Sequence, residues 1–340
     1  MATARPRERL RVAVIGCGHL GKFHARIYKE NPRAELVGLV DTDSNRVGAL
    51  AKELGVPAFS SPAELPRELD AVSIAVPTIY HAAVAVPLLE RGLACLVEKP
   101  IAATPTEGAQ MLAAAMQGDA VLAIGHVERF QPGLRKIAAL GLKPRFIECH
   151  RLAPFSFRSM DIGVVHDLMI HDLDLILHLV PSAVESFDAA GGAILTERED
   201  LASVRLVFQD GARANVTASR VSLSPMRRFR MFSSESYVSL DFTKNYGLMV
   251  KKGPRFDAGR AELKHLDPAV LAERPDLVKS DMIEVQELEL GDSERPLQAE
   301  LDSFLRCVQT GATPEVSGAD GLAALTLAER ISTAIRSQTW

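Results

Sequence analysis

The sequence lacks several things, and each lack removes a class of function. No apolar run reads as a membrane span, because the greasiest region, Ala71 to Leu89, is interrupted by Pro77, His81 and Pro87. The basic start, Met1 to Arg11, leads only into Val12–Ile15 before glycines begin, too short for the apolar core of a signal peptide. No basic block stands out and the net charge is −4, which argues against nucleic acid as the main partner. The densest basic patch, Arg227-Arg228-Phe229-Arg230, reads as a solvated strand end. The four cysteines, Cys17, Cys95, Cys149 and Cys307, are scattered and form no C-x-x-C. Free thiols in or beside apolar strands act as small hydrophobes and fit a reducing, cytoplasmic setting. No internal repeat or low-complexity segment is evident. What remains is average for a soluble globular chain, 47% hydrophobic and 24% charged, and 340 residues predict two domains.

The strongest local signal is Val12-Ala13-Val14-Ile15-Gly16-Cys17-Gly18-His19-Leu20-Gly21, an apolar strand running into a G-x-G-x-x-G turn with a helix predicted to Glu30. Gly16 permits the tight turn, Gly18 lets backbone approach a pyrophosphate, and Gly21 lets helix and strand pack closely. The phosphates would sit on the free N–H groups at the helix start, around His19, Leu20 and Gly21. The next strand ends in Asp41, 20 residues beyond Gly21, where a carboxylate accepts from an adenosine ribose. Strand, turn, helix, strand and acid in that order predict a dinucleotide site. Asp41 favours NAD over NADP, because its charge repels a 2′-phosphate; Arg46, one helical turn on, is the nearby cation that weakens this argument.

Strand and helix patterns alternate to about Gly125. Apolar strands are predicted at Val12–Ile15, Leu36–Val40, 57–59, Ala71–Val76, Ala94–Val97 and Ala120–Ile124, with helix caps at Asp43 or Ser44 and at Thr104. Short, wholly apolar strands between helices mean a parallel sheet buried on both faces, with ligands outside the carboxyl ends of the strands. Those ends carry Asp41, Val76-Pro77-Thr78 with His81 nearby, Glu98-Lys99-Pro100 and Gly125-His126. Lys99 reads in two ways: as the salt-bridge partner of Glu98, or as a donor or proton carrier beside the cofactor ring. Pro100 fixes the exit direction and is a candidate for a cis bond.

After Gly125 the alternation stops. Strands are predicted at Arg145–Leu152, Leu201–Phe208, Ala212–Ser219, Arg228–Ser233, Tyr237–Phe242, Gly247–Lys251 and Met282–Leu290, joined without helices and so antiparallel. Gly253–Lys279 reads as an insertion or long loop. Amphipathic helices at Glu300–Val308 and Leu322–Ile335 are expected to close this second fold. A helix over Val164–Leu179 places Asp167, His171, Asp174 and His178 at i, i+4, i+7 and i+11, one polar stripe on a greasy helix. Asp167 can orient and tune His171 as a general acid/base. The competing readings are a structural His–Asp pair and a zinc site, the latter disfavoured because H-E-x-x-H is absent and no cysteine is near.

The G-x-G-x-x-G turn, Asp41, Val76-Pro77-Thr78 with His81, and above all Glu98-Lys99-Pro100-Ile101-Ala102 resemble the Gfo/Idh/MocA family of sugar dehydrogenases. The resemblance implies an α/β chain: an N-terminal Rossmann NAD-binding domain, 1–125, and a C-terminal α+β domain with an open, mostly antiparallel sheet, 126–340. It implies cofactor contacts from Gly16, Gly18, His19, Leu20, Gly21, Asp41, Pro77, Thr78, His81 and Glu98. It also implies Lys99, Asp167 and His171 as the catalytic set, the D-x-x-x-H pattern following the E-K-P element at the proper distance. The strings Gly125–Pro132 and Arg158–Asp172 are similar to a bacterial subgroup acting on the sugar 3-hydroxyl of UDP-N-acetylglucosamine, in concert with an aminotransferase of lipid A diamino-sugar synthesis. The sugar nucleotide would lie between the domains. Arg158 is then either a diphosphate partner or a surface salt bridge, and Arg129 a substrate contact or a tie between domains. The resemblance implies a homodimer or homotetramer through the open sheet; charge and hydropathy predict no nucleic-acid or membrane partner, and the ligand spacing predicts no metal. Oxidation of a free polyol such as inositol, or a non-catalytic NAD-binding sensor, are the other readings.

Overall fold

The computed structural model describes residues 9–156, 162–263, 282–290 and 295–338. The chain divides into two units, residues 1–131 with 293–330 and residues 132–292 with 331–340.

In the first unit the alternation expected from sequence is present. The elements are β1 (Leu10–Ile15), α1 (Gly21–Glu30), β2 (Ala34–Val40), α2 (Ser44–Leu54), β3 (Ala58–Phe59), β4 (Ala71–Ile74), α3 (His81–Leu89), β5 (Ala94–Glu98), α4 (Pro105–Gln117) and β6 (Leu122–Gly125). The strands pair in parallel in the order β3-β2-β1-β4-β5-β6. The order reverses between β1 and β4, so the ligand crevice lies at the carboxyl ends of those two strands. Local chemistry sets the boundaries. Asp43 caps α2 by accepting from the N–H groups of Asn45 and Arg46, and Thr104 and Glu107 form a capping box on α4. Gly92, at φ 80°, ends the turn after α3.

The second unit holds α5 (Pro132–Ala139), β7 (Phe146–Leu152), α6 (Ile170–Leu179), β8 (Val184–Gly192), β9 (Leu201–Phe208), β10 (Arg213–Ser219), β11 (Met226–Phe232), β12 (Ser236–Asp241), β13 (Tyr246–Lys252), α7 (Phe256–Leu263) and β14 (Ile283–Glu289). Its eight strands run in the order β14-β13-β12-β11-β7-β10-β9-β8. β8 lies outside the sequence expectation; with Gly191 and Gly192 and an exposed middle it lacks a clean apolar alternation. All pairings are antiparallel except β7 with β10, whose chain connection runs through α6, β8 and β9. The region expected to be a loop from Gly253 begins with α7; residues 264–279 lie outside the described residues.

The closing helices are α8 (Pro296–Thr310) and α9 (Gly318–Arg336). They differ from expectation in where they belong: contacts assign 293–330 to the first unit, not to a continuous second domain over 126–340. The reason is apolar burial. Leu301, Phe304 and Leu305 of α8 enter the core formed by Val12, Val14, Tyr28 and Leu39. The chain leaves the first unit after Gln131, close to the expected boundary at Gly125. Among the described residues no helix is long and apolar enough to cross a membrane.

Candidate functional site

The turn after β1 has the shape that a pyrophosphate requires. Gly16 sits at φ 93°, and a Cβ there would meet the Ala75 carbonyl at 2.6 Å. A Cβ on Gly21 would lie 1.7 Å from the Gly16 carbonyl oxygen, so helix and turn touch through glycine alone. Gly18 is different: a Cβ there meets no protein atom within 4 Å, leaving its outer side clear for a ligand. The N-terminus of α1 has no side-chain cap from Leu20 and no acidic residue in its first turn, so its N–H groups and dipole suit an anion. His19 and Leu20 are exposed at this mouth, with the His19 ring edge-on to Phe23. Burial, followed by the Asp41 charge, pushes the Cys17 thiol up to about 12, so it stays protonated and is no nucleophile.

Asp41 is 9% exposed and has a structural task in the free protein. One oxygen accepts from the Cys17 N–H at 2.8 Å and the other from the Asp43 N–H at 2.9 Å, which pins the glycine turn to the end of β2. Arg46 lies 3.3 Å from Asp41 and 3.1 Å from Asp43. The cation that clouded the NAD preference is thus already shared between two carboxylates. These residues fit a bound NAD: a glycine cradle, an uncapped helix start and a carboxylate at the second strand.

At the neighbouring strand ends, Pro77 is exposed and Thr78 half-buried. His81 is 1% exposed, so its side chain serves the scaffold: its ring nitrogens lie 2.9 Å from the Pro100 carbonyl and 3.0 Å from the Val76 carbonyl. It staples the turn after β4 to the turn after β5. Lys99 emerges half-buried directly after the fully buried strand β5, and the Lys99–Pro100 bond is cis. Glu98 is buried, 7% exposed, and its carboxylate meets His24 Nε2 of α1 at 2.9 Å. The Glu98 side chain thus lies against His24 and turns to the core, where a cofactor contact was expected.

In the second unit, a π-helical turn over Val165–Met169 leads into α6. π turns within helices commonly occur at functional sites. Asp167 and His171 are both half-buried. The rest of the expected stripe separates from them: Asp174 is fully buried and His178 exposed. α6 is fixed by a pair that sequence reasoning missed. Arg151 of β7 donates two bonds of 2.8 Å to the two oxygens of Asp172. Burial opposes the Arg151 charge, but Asp172 outweighs it and the net shift is upward. A run of His-Asp-Leu-Asp hides this signal, because Asp172 and Asp174 look equivalent in the sequence.

Arg129, expected at substrate or between domains, is 7% exposed and engaged within the first unit, donating to the Glu315 carbonyl at 3.0 Å and lying 3.5 Å from Asp320. Arg158 lies outside the described residues. Lys99 belongs to the first unit and Asp167 and His171 to the second.

Comparisons with known proteins agree with this geometry. The family described as "Oxidoreductase family, NAD-binding Rossmann fold" matches residues 10–126, and the "GFO/IDH/MocA C-terminal domain" matches residues 143–238. The chain is 36% identical over 329 residues to the UDP-N-acetylglucosamine 3-dehydrogenase of Acidithiobacillus ferrooxidans, covering 96% of this chain and 98% of that protein. A solved structure of that enzyme superposes with a TM-score of 0.85 at 33% identity, covering 97% of this chain and 98% of the other. The myo-inositol 2-dehydrogenase of Thermotoga maritima is 25% identical over 337 residues, 94% of each chain. The chain belongs to the Gfo/Idh/MocA family and is an NAD-dependent oxidoreductase.

Proposed function

We propose that this oxidoreductase oxidises the 3-hydroxyl of a UDP-N-acetylhexosamine, turning UDP-N-acetylglucosamine into its 3-keto form. The observation that carries this reading is the near full-length similarity, at 36% identity, to a UDP-N-acetylglucosamine 3-dehydrogenase. Supporting it are a lysine after β5 and an Asp–His pair at the entry to α6, the groups that proton transfer from a hydroxyl needs.

In this reading His171 accepts the proton of the sugar hydroxyl, with Asp167 holding the imidazole and favouring its charged form. Lys99 donates to the same oxygen and stabilises negative charge as the O–H bond breaks. The C3–H bond breaks as the C=O bond forms, and the two hydrogens leave separately, one as the proton on His171. Bound NAD⁺ supplies the acceptor for the hydrogen that leaves with its electron pair. The opposite assignment, Lys99 as base and imidazolium as donor, uses the same groups, and the pH profiles of Lys99→Arg and His171→Gln variants separate the two. The keto sugar is a substrate for an aminotransferase, which places the enzyme in diamino-sugar synthesis of the lipid A type. The working form is a homodimer or homotetramer through the open sheet.

The similarity to a myo-inositol 2-dehydrogenase favours oxidation of a free polyol as the second reading. One experiment tests both: incubation with NAD⁺ and a panel of UDP-sugars and inositols, with mass spectrometry for a loss of two hydrogens. The first reading expects that loss from UDP-N-acetylglucosamine and fails if only an inositol is oxidised. Tight NAD binding with no turnover on any member would point to a sensor.

A further inference from the structure

Three titratable side chains that this reaction leaves unused meet inside the first unit. His24 lies on α1 three residues after Gly21, Glu98 ends β5 directly before Lys99, and Glu300 lies on α8. They are 0%, 7% and 2% exposed. One nitrogen or oxygen of each lies within 4.8 Å of the others. His24 Nε2 and Glu98 Oε1 are 2.9 Å apart; among the described residues neither ring nitrogen of His24 and neither oxygen of Glu300 has a partner in hydrogen-bonding geometry. Tyr28, the other titratable group beside Glu300, is fully buried, bonded to Ser73 at 2.8 Å, and brings no charge.

Two carboxylates and one imidazole in dry surroundings cannot all keep the charge states they hold in water. Glu98 lies against the His24 imidazole; a second ionised carboxylate beside it would be both desolvated and repelled. A bound cation is the alternative way to reconcile the set. But 2.9 Å is shorter than the ~3.3 Å that two ligands of a tetrahedral ion keep when each bond is about 2.0 Å. The proton fits the spacing better. Glu98 is also held on its other side: a Cβ on Gly125 of β6 would come within 3.1 Å of its carboxylate, so the glycine makes room for it. Glu98, the residue before Lys99, is thus enclosed between α1 and β6.

We propose that His24, Glu98 and Glu300 form a buried triad that holds the Lys99 turn, with Glu300 kept as a neutral acid and acting as a positioning residue. Glu300 is the member that local sequence hides, a carboxylate beside Leu301 and Phe304 on a helix built for the core. Burial first, and then the Glu98 charge, push its carboxyl well above the usual range. This links the helix that receives the pyrophosphate, the strand that presents Lys99 and a helix from the far end of the chain. The positioning role rests on the assignment of Lys99 to the chemistry; the protonation state does not.

The test compares the full-length wild type with Glu300→Gln, which keeps the donor without the titration, and Glu300→Met, which removes both at similar volume. Melting temperatures are measured from pH 5.5 to 8.5, without substrate, so failure here is separate from failure of the substrate assignment. The unfolded chain sheds the Glu300 proton above about pH 4.3 while the folded chain retains it, so wild-type stability drains as pH rises towards the folded value. The advantage of Glu300→Gln over wild type is expected to widen by ~5 °C or more across that window. A constant gap overturns the proposal. So does near-stoichiometric zinc or another divalent metal, by elemental analysis, that is present in wild type and absent from Glu300→Gln. For the positioning role, Glu300→Gln is expected to keep kcat within ~3-fold, and Glu300→Met to lose ~10-fold in kcat at unchanged KM for NAD. Equal kcat for wild type and Glu300→Met overturns that part.

Discussion

The two places that carry the proposed proton-handling groups, Lys99 and His171, are held by different physics. Lys99 leaves a five-residue strand buried along its whole length, and the turn beyond it is stapled by His81 to the turn after β4. Its position follows from backbone: a central parallel strand, a register and a proline. His171 sits in the first turn of α6, after a π turn, on a helix tied to β7 by the Arg151–Asp172 pair. Its position depends on a side-chain contact across 21 residues of sequence. Strand ends of a parallel sheet are fixed by the fold itself, whereas a site on a helix entry needs an anchor of its own.

Removing each group in turn carries the largest expected effect. Lys99→Ala and His171→Ala are each expected to lower kcat by ~10²–10⁴-fold, the usual contribution of a positioned general acid or base, with NADH binding by fluorescence kept. Near-normal turnover in both variants would remove them from the chemistry. The anchors come next. Arg151→Met strands the Asp172 charge in a buried setting and is expected to cost about 3–5 kcal/mol in denaturant unfolding. Replacing both partners, Arg151→Met with Asp172→Leu, is expected to recover most of it. If the double variant is no better than the single one, the pair is not what holds α6.

The same contrast governs what could be read from the sequence. The first sheet was legible strand by strand, because buried parallel strands are continuous apolar runs and their carboxyl ends are where Asp41 and Lys99 stand. The residues at the strand ends were legible too, but not where each side chain turns. His81 and Glu98 stand beside the ligand edge in the sequence, yet both point into the scaffold. Asp172, Glu300 and His24 were invisible, since each acquires its meaning from a partner far along the chain. β8 was missed for a related reason: two glycines and exposed polar residues satisfy no strand pattern until β9 lies beside them. The destination of α8 was illegible as well, because an amphipathic helix states that it will be buried and not against which sheet.

A smaller effect separates fold from ligand within the glycine turn. Gly21→Ala forces a Cβ to 1.7 Å from the Gly16 carbonyl and should lower both melting temperature and NADH affinity. Gly18→Ala meets no protein atom within 4 Å, so the melting temperature of the free protein should hold. NADH affinity should still fall about tenfold, ~1.4 kcal/mol, as the new methyl blocks the approach of the pyrophosphate. Equal NADH affinity for Gly18→Ala and wild type would move the phosphate site away from this turn.

The smallest effect concerns the staple that holds the Lys99 turn. Both His81 nitrogens face carbonyl oxygens, at 2.9 and 3.0 Å, but a neutral imidazole has only one N–H to give. Protonation would satisfy both carbonyls, yet burial works against the charge and prevails, so the His81 pKa lies below its ordinary value. The folded chain then binds fewer protons at this site than the unfolded chain, between the lowered value and about 6.5. Stability contributed by neutral His81 is present above that window and is lost as pH falls through it. His81→Gln removes the titration, so the melting curves of variant and wild type should draw together by ~2 °C as pH drops from 7.5 to 5.5. If they instead diverge, with wild type gaining on the variant in acid, the two carbonyls outweigh burial, and the turn beyond Lys99 is held by an imidazolium.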